Sequence, residues 1–171
     1  MAKKATSHDL SRFPILEGLS ESQLLKIREI VRERKIAAGD MITREGEHGD
    51  ELFLLLAGRV EVSKSLTLHM GREGLDTRDK SLTMLRAAEA PYFGEMALLR
   101  EDSRRTATVK AVDVCLLGII HRQDFIALCE KEAALGYRLL LNIAKTLVDR
   151  LEKMNQDILK LTTAFSLALK S

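Results

Sequence analysis

Cysteine is scarce in this chain of 171 residues, and long apolar runs are missing. Cys115 and Cys129 form neither a CxxC pair nor a cluster with the four histidines, so the sequence indicates no metal site. We expect both thiols to be buried and free. No apolar stretch approaches the roughly 20 residues that cross a bilayer, and the basic start MAKKATSHDLSRF lacks the apolar core of a signal peptide. These absences favour a cytoplasmic protein.

An excess of charge of one sign is also missing. Lys and Arg number 27 against 25 Asp and Glu, which gives a formal net charge of +2. This balance argues against a strongly basic nucleic-acid surface, and 46% hydrophobic residues argue against disorder. The length suits one domain with a full hydrophobic core.

The first clear element of the chain is an amphipathic helix near the N-terminus. Ser20 and Gln23 have the spacing of a capping box, and apolar residues then recur at helical intervals. The pattern predicts a helix over residues 21–34. Phe13 and Pro14 predict a short turn that places an aromatic ring beneath this helix.

The middle of the chain has a sequence pattern typical of an all-β fold. Short apolar runs lie about 8 to 12 residues apart and are separated by glycines and polar turns, which is typical of a sandwich or barrel. The runs are MITREG, ELFLLLAGRVEVSKS, SLTMLRA, TATVKAV and VCLLGII. LTLHMGREGLDTRDKSLTML predicts a hairpin with a long, mobile polar loop. Helical periodicity returns from about His121, and neither this residue nor His69 is expected to bind metal.

The last helix carries an apolar seam with alternating spacings of four and three residues. This spacing is typical of a coiled coil and predicts a parallel homodimer joined along the helix. The alternative is that the same face folds back on the domain's own barrel. The seam consists of Leu147, Leu151, Met154, Ile158, Leu161 and Phe165, and Ala168 continues it weakly.

One segment, FGEMALLREDSRRTATV at residues 93–109, combines a Gly-Glu turn with two arginines. Gly94 permits a sharp turn into a short helix, and the amides around Met96 to Leu98 are expected to point out unpaired, ready for an anion. A nearby arginine would supply a forked charge for a phosphate. Glu95 would repel a phosphate, so it is better explained as an acceptor for a sugar hydroxyl. Phosphate, ribose and an apolar wall together predict a nucleotide.

These residues resemble the cyclic nucleotide-binding domain shared by catabolite-activator-type regulators, protein kinase regulatory subunits and gated ion channels. FPILEGLSESQL resembles the family's helical entry, AAGDMITREGEHGDELFLLLAGRVEV its glycine-punctuated strands, and residues 93–109 its phosphate-binding cassette. The resemblance implies that Glu95 bonds the ribose 2′-hydroxyl and that Arg105, rather than Arg104, pairs with the cyclic phosphate. The implied ligand-binding set is Gly94, Glu95, Met96, Ala97, Arg105 and Thr106, with Asn155 on the long helix reaching the base.

The expected fold is α+β, an antiparallel, jelly-roll-like β-roll with flanking helices and a long C-terminal dimerisation helix. We expect residues 1–136 to form the nucleotide-binding roll with its N-terminal helices, and residues 137–171 to form the dimerisation helix. The expected function is a non-catalytic sensor of a cyclic mononucleotide, cAMP first and cGMP second, that signals to a partner protein.

Direct DNA binding is not expected, because no helix-turn-helix follows the long helix. Membrane association is not expected, because no apolar run is long enough to cross a bilayer. One alternative is a dimeric interaction module that has lost its nucleotide or binds another effector. The other is a phosphodiesterase or transferase, for which the sequence offers no metal cluster, nucleophile elbow or acid-base pair.

Overall fold

The computed structural model describes residues 8–69 and 75–169, and its centre is a β-roll of two four-stranded antiparallel sheets. One sheet has the strand order β1-β8-β3-β6 and the other β2-β7-β4-β5. The strands are β1 (Arg32–Ile36), β2 (Met41–Thr43), β3 (Glu51–Ala57), β4 (Arg59–His69), β5 (Leu75–Arg86), β6 (Tyr92–Phe93), β7 (Thr108–Ala111) and β8 (Cys115–His121). The predicted β-roll is confirmed.

The N-terminal segment agrees with its prediction at the start and differs at the end. Phe13 is fully buried ahead of a 3-10 turn at Pro14–Leu16, and helix α1 (Glu21–Ile30) opens with the predicted capping box. The prediction that the helix runs to residue 34 is wrong. The backbone becomes extended at Val31, and the next five residues, Arg32 to Ile36, pair with β8. The charged side chains of RERKI are exposed along this edge strand, and their sequence pattern resembles a solvated helix face.

Strand β3 shows why a central strand of the roll has a continuous apolar sequence. Its side chains alternate between two cores: Phe53 and Leu55 pack between the sheets, whereas Leu52 and Leu54 pack against the helices on the other side. A strand buried on both faces has no polar face to alternate with.

The hairpin of β4 and β5 is longer than the sequence suggests. The two strands pair from Arg59 with Arg86 up to His69 with Leu75, with one bulge near Val62. The long polar loop predicted here is therefore wrong for most of its length, because the polar run from Asp76 to Ser81 belongs to the paired strand β5. The rest of that prediction, residues 70–74, lies outside the described residues.

Three helices complete the domain: α2 (Met96–Leu99), α3 (Arg122–Lys131) and α4 (Ala133–Ala168). The first half of α4 packs on the core through Leu135, Leu139 and Ile143. The buried Asn142 fixes this docking, because its amide donates to the carbonyls of Ile15 at 3.1 Å and Glu17 at 2.8 Å.

The second half of α4 leaves the roll. Leu147 is the last seam residue that packs on the domain's core. From Leu151 onward the predicted seam is exposed, with 51 to 69% of the surface of its apolar residues accessible up to Phe165. In one chain, the seam therefore does not fold back on the barrel beyond Leu147. Within the described residues, no helix has the length and apolarity needed to cross a membrane.

Both cysteines are free, as predicted: Cys115 is buried and Cys129 is partly buried. Burial raises the pKa of each thiol above its usual value. A Cβ on Gly136 would lie 2.9 Å from the Cβ of Cys129, so this glycine lets α3 and α4 approach closely.

Candidate functional site

A cavity of about 410 Å³ opens between the second sheet, the segment from β6 to β7, and helix α4. This size is within the range of small-molecule sites. It is lined by Thr43, Val62, Thr83, Leu85, Tyr92, Phe93, Gly94, Glu95, Met96, Ala97, Ser103, Arg104, Arg105, Thr106, Ala107, Val109, Arg150 and Lys153. Six of the seven residues predicted to bind ligand therefore line one cavity.

Gly94 forms the corner at which β6 turns into α2. Its φ is +83°, a conformation that favours glycine. A side chain here would also have no space, because a Cβ would lie 2.7 Å from the Glu51 carbonyl oxygen and 2.9 Å from Nη1 of Arg105. The glycine thus brings the backbone against the guanidinium.

The amides of α2 differ from the prediction. The amide of Ala97 donates to the Gly94 carbonyl at 3.0 Å, and that of Leu98 donates to the Glu95 carbonyl at 3.1 Å. These two amides are therefore paired rather than pointing out, because the four-residue helix begins with a tight turn of i to i+3 bonds.

Arg105 is the buried cation of the cavity, with 8% of its surface exposed. Its Nη1 donates to the Glu51 carbonyl and its Nη2 to the Glu51 carboxylate, both at 2.8 Å. Burial lowers the pKa of this guanidinium, and the charges of Glu51 and Asp50 act in the opposite direction. The guanidinium nevertheless stays charged, because arginine keeps its proton in proteins. The fork is thus held rigidly by a residue 54 positions away.

Two further contacts fix the plane of this guanidinium. It lies over the ring of Phe53 at 5.2 Å, and Phe53 stacks on Phe93 with the ring centroids 5.1 Å apart. On another side, Gly49 leaves room for it, since a Cβ there would lie 2.1 Å from Nε of Arg105. The arginine is therefore held in place by contacts within the chain itself.

Arg104 has a different environment. It is exposed, and its Nη1 donates to the Gly46 carbonyl at 3.0 Å. The neighbouring acids do not pair with either arginine: Asp102 lies 2.8 Å from His48 and Glu101 lies 3.4 Å from Arg122. The prediction that favoured Arg105 is consistent with this difference in burial.

Glu95 is the buried carboxylate of the cavity, with 4% of its surface exposed. Its carboxylate forms an ion pair with Arg150 of α4, and Arg150 also donates to the Tyr92 carbonyl at 3.3 Å. The Arg150 guanidinium lies 5.8 Å from the centre of the Tyr92 ring. Burial raises the pKa of this tyrosine above its usual value. Helix α4 is thereby tied directly to the cavity.

Sequence reasoning missed several residues of this site. Four residues were not predicted: Glu51, Tyr92, Arg150 and Lys153. The hydrogen bonds of the first three join positions 54 to 58 residues apart, for which the sequence has no local signal. Conversely, Asn155 is exposed on α4 and does not line the cavity of its own chain. Its predicted contact with a ligand would need a second copy.

One cluster has donors of the kind that bind metals. Ligand atoms of Asp50, Glu51 and His121 lie within 4.8 Å of one another. Glu51, however, is already engaged by Arg105, and Asp50 lies 3.8 Å from His121. We assign no metal to these residues.

The fold is a β-roll, and its cavity combines a buried arginine, a buried carboxylate and apolar side chains. Its family follows from comparison with known proteins: the chain belongs to the cyclic nucleotide-binding domain family, whose model matches residues 33–132.

The relatives span kinases and bacterial regulators. The chain is 36% identical over 103 residues to cGMP-dependent protein kinase isozyme 1 of Drosophila melanogaster, which is 60% of this chain and 12% of the kinase. It superposes on the catabolite activator protein of Thermus thermophilus with a TM-score of 0.71 and 25% identity, over 87% of this chain and 63% of that one. For the cAMP-bound regulatory domain of Toxoplasma gondii PKA, the TM-score is 0.65 and the identity 25%, over 82% and 47% of the chains. The chain thus spans a small part of the kinase and more of the regulators.

Proposed function

We propose that the cavity binds a cyclic mononucleotide, with cAMP as the first candidate and cGMP as the second. The observation that carries this proposal is the pairing of a buried Arg105 with a buried Glu95 in one cavity of fitting size. Arg105 provides a fixed cation for a phosphate, and Glu95 provides an acceptor for a hydroxyl.

Arg105 is suited to the cyclic phosphate because its donors are only partly used. Its two bonds to Glu51 use two of the five N–H donors that a guanidinium carries. Gly94, Met96 and Ala97 form the backbone turn beside it. Glu95 would accept a hydrogen bond from the ribose 2′-hydroxyl, because a carboxylate repels the phosphate.

The apolar part of the cavity would hold the base. Val62, Leu85 and Val109 form this wall, and Thr106 adds a hydroxyl next to Arg105. The kinase relative is cGMP-dependent and the Toxoplasma domain holds cAMP, so the relatives support both purines. A threonine hydroxyl can donate or accept, which fits either base.

We further propose that the domain is a non-catalytic regulator that dimerises through α4 and signals to a protein. We keep the division into a roll, residues 1–136, and a dimerisation helix, residues 137–171. The exposed seam supports the dimer, since a second copy would bury side chains worth roughly 1.5 to 3 kcal/mol each. The near-neutral charge favours a protein rather than DNA as the target.

Calorimetric titration tests this function most directly. The protein is unfolded and refolded to remove any bound nucleotide, then titrated with cAMP, cGMP and a cyclic dinucleotide. We expect saturable binding of a cyclic mononucleotide, and a gain in stability of about 2.7 kcal/mol at 100 times the dissociation constant. Refolded protein that binds neither mononucleotide would contradict the proposal. It would favour the same fold acting as an interaction module without a nucleotide, or with another effector.

A further inference from the structure

One buried hydroxyl in the cavity lining, that of Ser103, has no hydrogen-bond partner within the described residues. Apart from Tyr92, whose hydroxyl lies beside Thr146 of α4, five polar or charged side chains are buried in the described part of the chain. They are Thr43, Glu95, Ser103, Arg105 and Asn142. Four of them form hydrogen bonds or ion pairs within the chain, and Ser103 is the exception.

Only the hydroxyl of Ser103 is left without a partner, because its backbone groups are paired. Its amide donates to the Glu101 carbonyl at 3.1 Å, and its carbonyl accepts from the Gly49 amide at 3.2 Å. The residue has 8% of its surface exposed. A buried polar group without a partner lowers stability and is rare in proteins, so its presence in a cavity points to a ligand.

The local backbone places this hydroxyl on the same side as the Arg105 guanidinium. Arg104 forms an antiparallel bridge with His48, so the segment around it is extended. Side chains alternate along an extended segment: Ser103 and Arg105 are both buried, whereas Arg104 between them is exposed. Residues two apart in such a segment have Cα atoms about 7 Å from each other. One phosphate can therefore contact both buried side chains.

We propose that Ser103 is a further ligand-binding residue, whose hydroxyl donates a hydrogen bond to the cyclic phosphate that Arg105 anchors. This inference rests on the proposed function of the cavity. A cyclic phosphodiester shares its negative charge between its exocyclic oxygens, and a hydroxyl that donates to such an oxygen forms a charge-assisted hydrogen bond. The ligand thus supplies the partner that the hydroxyl lacks.

A second cavity offers the rival location for this hydroxyl. Its volume is about 240 Å³, and it is lined by His48, Gly49, Asp50, Glu101 and Ser103. The acids of this cavity lie beside other cations, Asp50 at 3.8 Å from His121 and Glu101 at 3.4 Å from Arg122. A hydroxyl bonded to one of these acids would stabilise the ligand-free protein, whereas an unpartnered hydroxyl would not. The two locations therefore predict different effects of removing it.

Ser103→Ala tests the proposal, because it removes the hydroxyl with little change of shape. Calorimetry measures the affinity of the refolded protein for cAMP and cGMP, and melting curves measure its stability without ligand. Ser103→Thr keeps a hydroxyl, and Ser81→Ala removes an exposed one outside the cavity lining. Thr43→Val calibrates the melting curves, since it removes a buried hydroxyl that donates to the Ala107 carbonyl at 3.3 Å.

We expect Ser103→Ala to weaken binding about tenfold or more, by the same factor for cAMP and cGMP, because both carry the same cyclic phosphate. Its melting temperature without ligand should be unchanged or higher by up to about 3 °C, since an unpartnered buried group is removed. Thr43→Val should melt at a lower temperature. Ser103→Thr should restore part of the affinity, and Ser81→Ala should behave as the unmutated protein in both measurements.

Three results would overturn the inference. The first is a Ser103→Ala variant that binds both nucleotides within about twofold of the unmutated protein. The second is an unequal loss for cAMP and cGMP, which would place the hydroxyl at the base. The third is a ligand-free melting temperature lowered as far as that of Thr43→Val, which would reveal a partner within the protein. An unmutated protein that binds neither nucleotide would refute the proposed function itself, and this inference with it.

Discussion

Replacing Arg105 by Ala should remove the main anchor of the ligand while the fold is kept. The guanidinium is 8% exposed, and it would meet the phosphate in a partly desolvated site. Loss of one partner of such a charge pair costs about 2 to 5 kcal/mol of binding. The dissociation constant should therefore rise by about 30-fold to several thousand-fold.

The same substitution has a smaller effect on stability. Glu51 loses the partner of its carboxylate and of its carbonyl, but its side chain is 23% exposed and water can replace part of the loss. We expect a destabilisation of about 1 to 3 kcal/mol, which a domain of this size tolerates. Circular dichroism should show an unchanged fold, and calorimetry should show the loss of affinity.

Arg104→Ala is the matched control for this experiment. It removes the same charge from the same loop, but the Arg104 side chain is exposed and its guanidinium donates to the Gly46 carbonyl. Its effect on affinity should stay under about 1 kcal/mol and should shrink as salt is added. If Arg104→Ala weakens binding more than Arg105→Ala does, the assignment of the phosphate-binding arginine is wrong.

Three other predictions concern the loop that holds the arginine, the dimer and the pH dependence of stability. Gly49→Ala should weaken nucleotide binding in calorimetry with little loss of secondary structure, because its Cβ would lie 2.1 Å from the phosphate-binding guanidinium. Leu151→Glu combined with Ile158→Glu should convert a dimer into monomers by placing like charges across the seam. Analytical ultracentrifugation at tens of micromolar checks this, and an unmutated protein that is monomeric there would refute the dimer. Hydrogen bonds from Arg59 lower the pKa of Asp113 below its usual value. The stabilisation from this carboxylate is therefore present above its unfolded pKa of about 3.9 and lost as pH falls through the folded pKa. Melting curves between neutral and acid pH should show a smaller acid loss for Asp113→Asn.

The grouping of three cavity residues could be predicted from the sequence, whereas the pairing of the α2 amides could not. Gly94, Glu95 and Arg105 belong to one continuous segment, so their spacing and chemistry could be read together, and the structure places all three around one cavity. A turn that needs a glycine and a strand that follows an arginine are both local signals.

The features that were missed depend on contacts between distant parts of the chain. Residues 31–36 carry charges in a pattern that fits a helix, and only their pairing with β8 makes them a strand. Arg150 was not singled out from the sequence, and its ion pair with Glu95 depends on where α4 crosses the roll. Periodicity finds elements, but it does not tell which elements meet.

The projecting half of α4 would amplify a small change in the angle of the helix. About 19 residues from Leu151 to Leu169 extend beyond Arg150, which corresponds to about 28 Å of helix. A tilt of about 10° near Arg150 would move the far end sideways by about 5 Å. A small change of helix angle at the cavity would thus displace the surface of the projecting half by several ångströms.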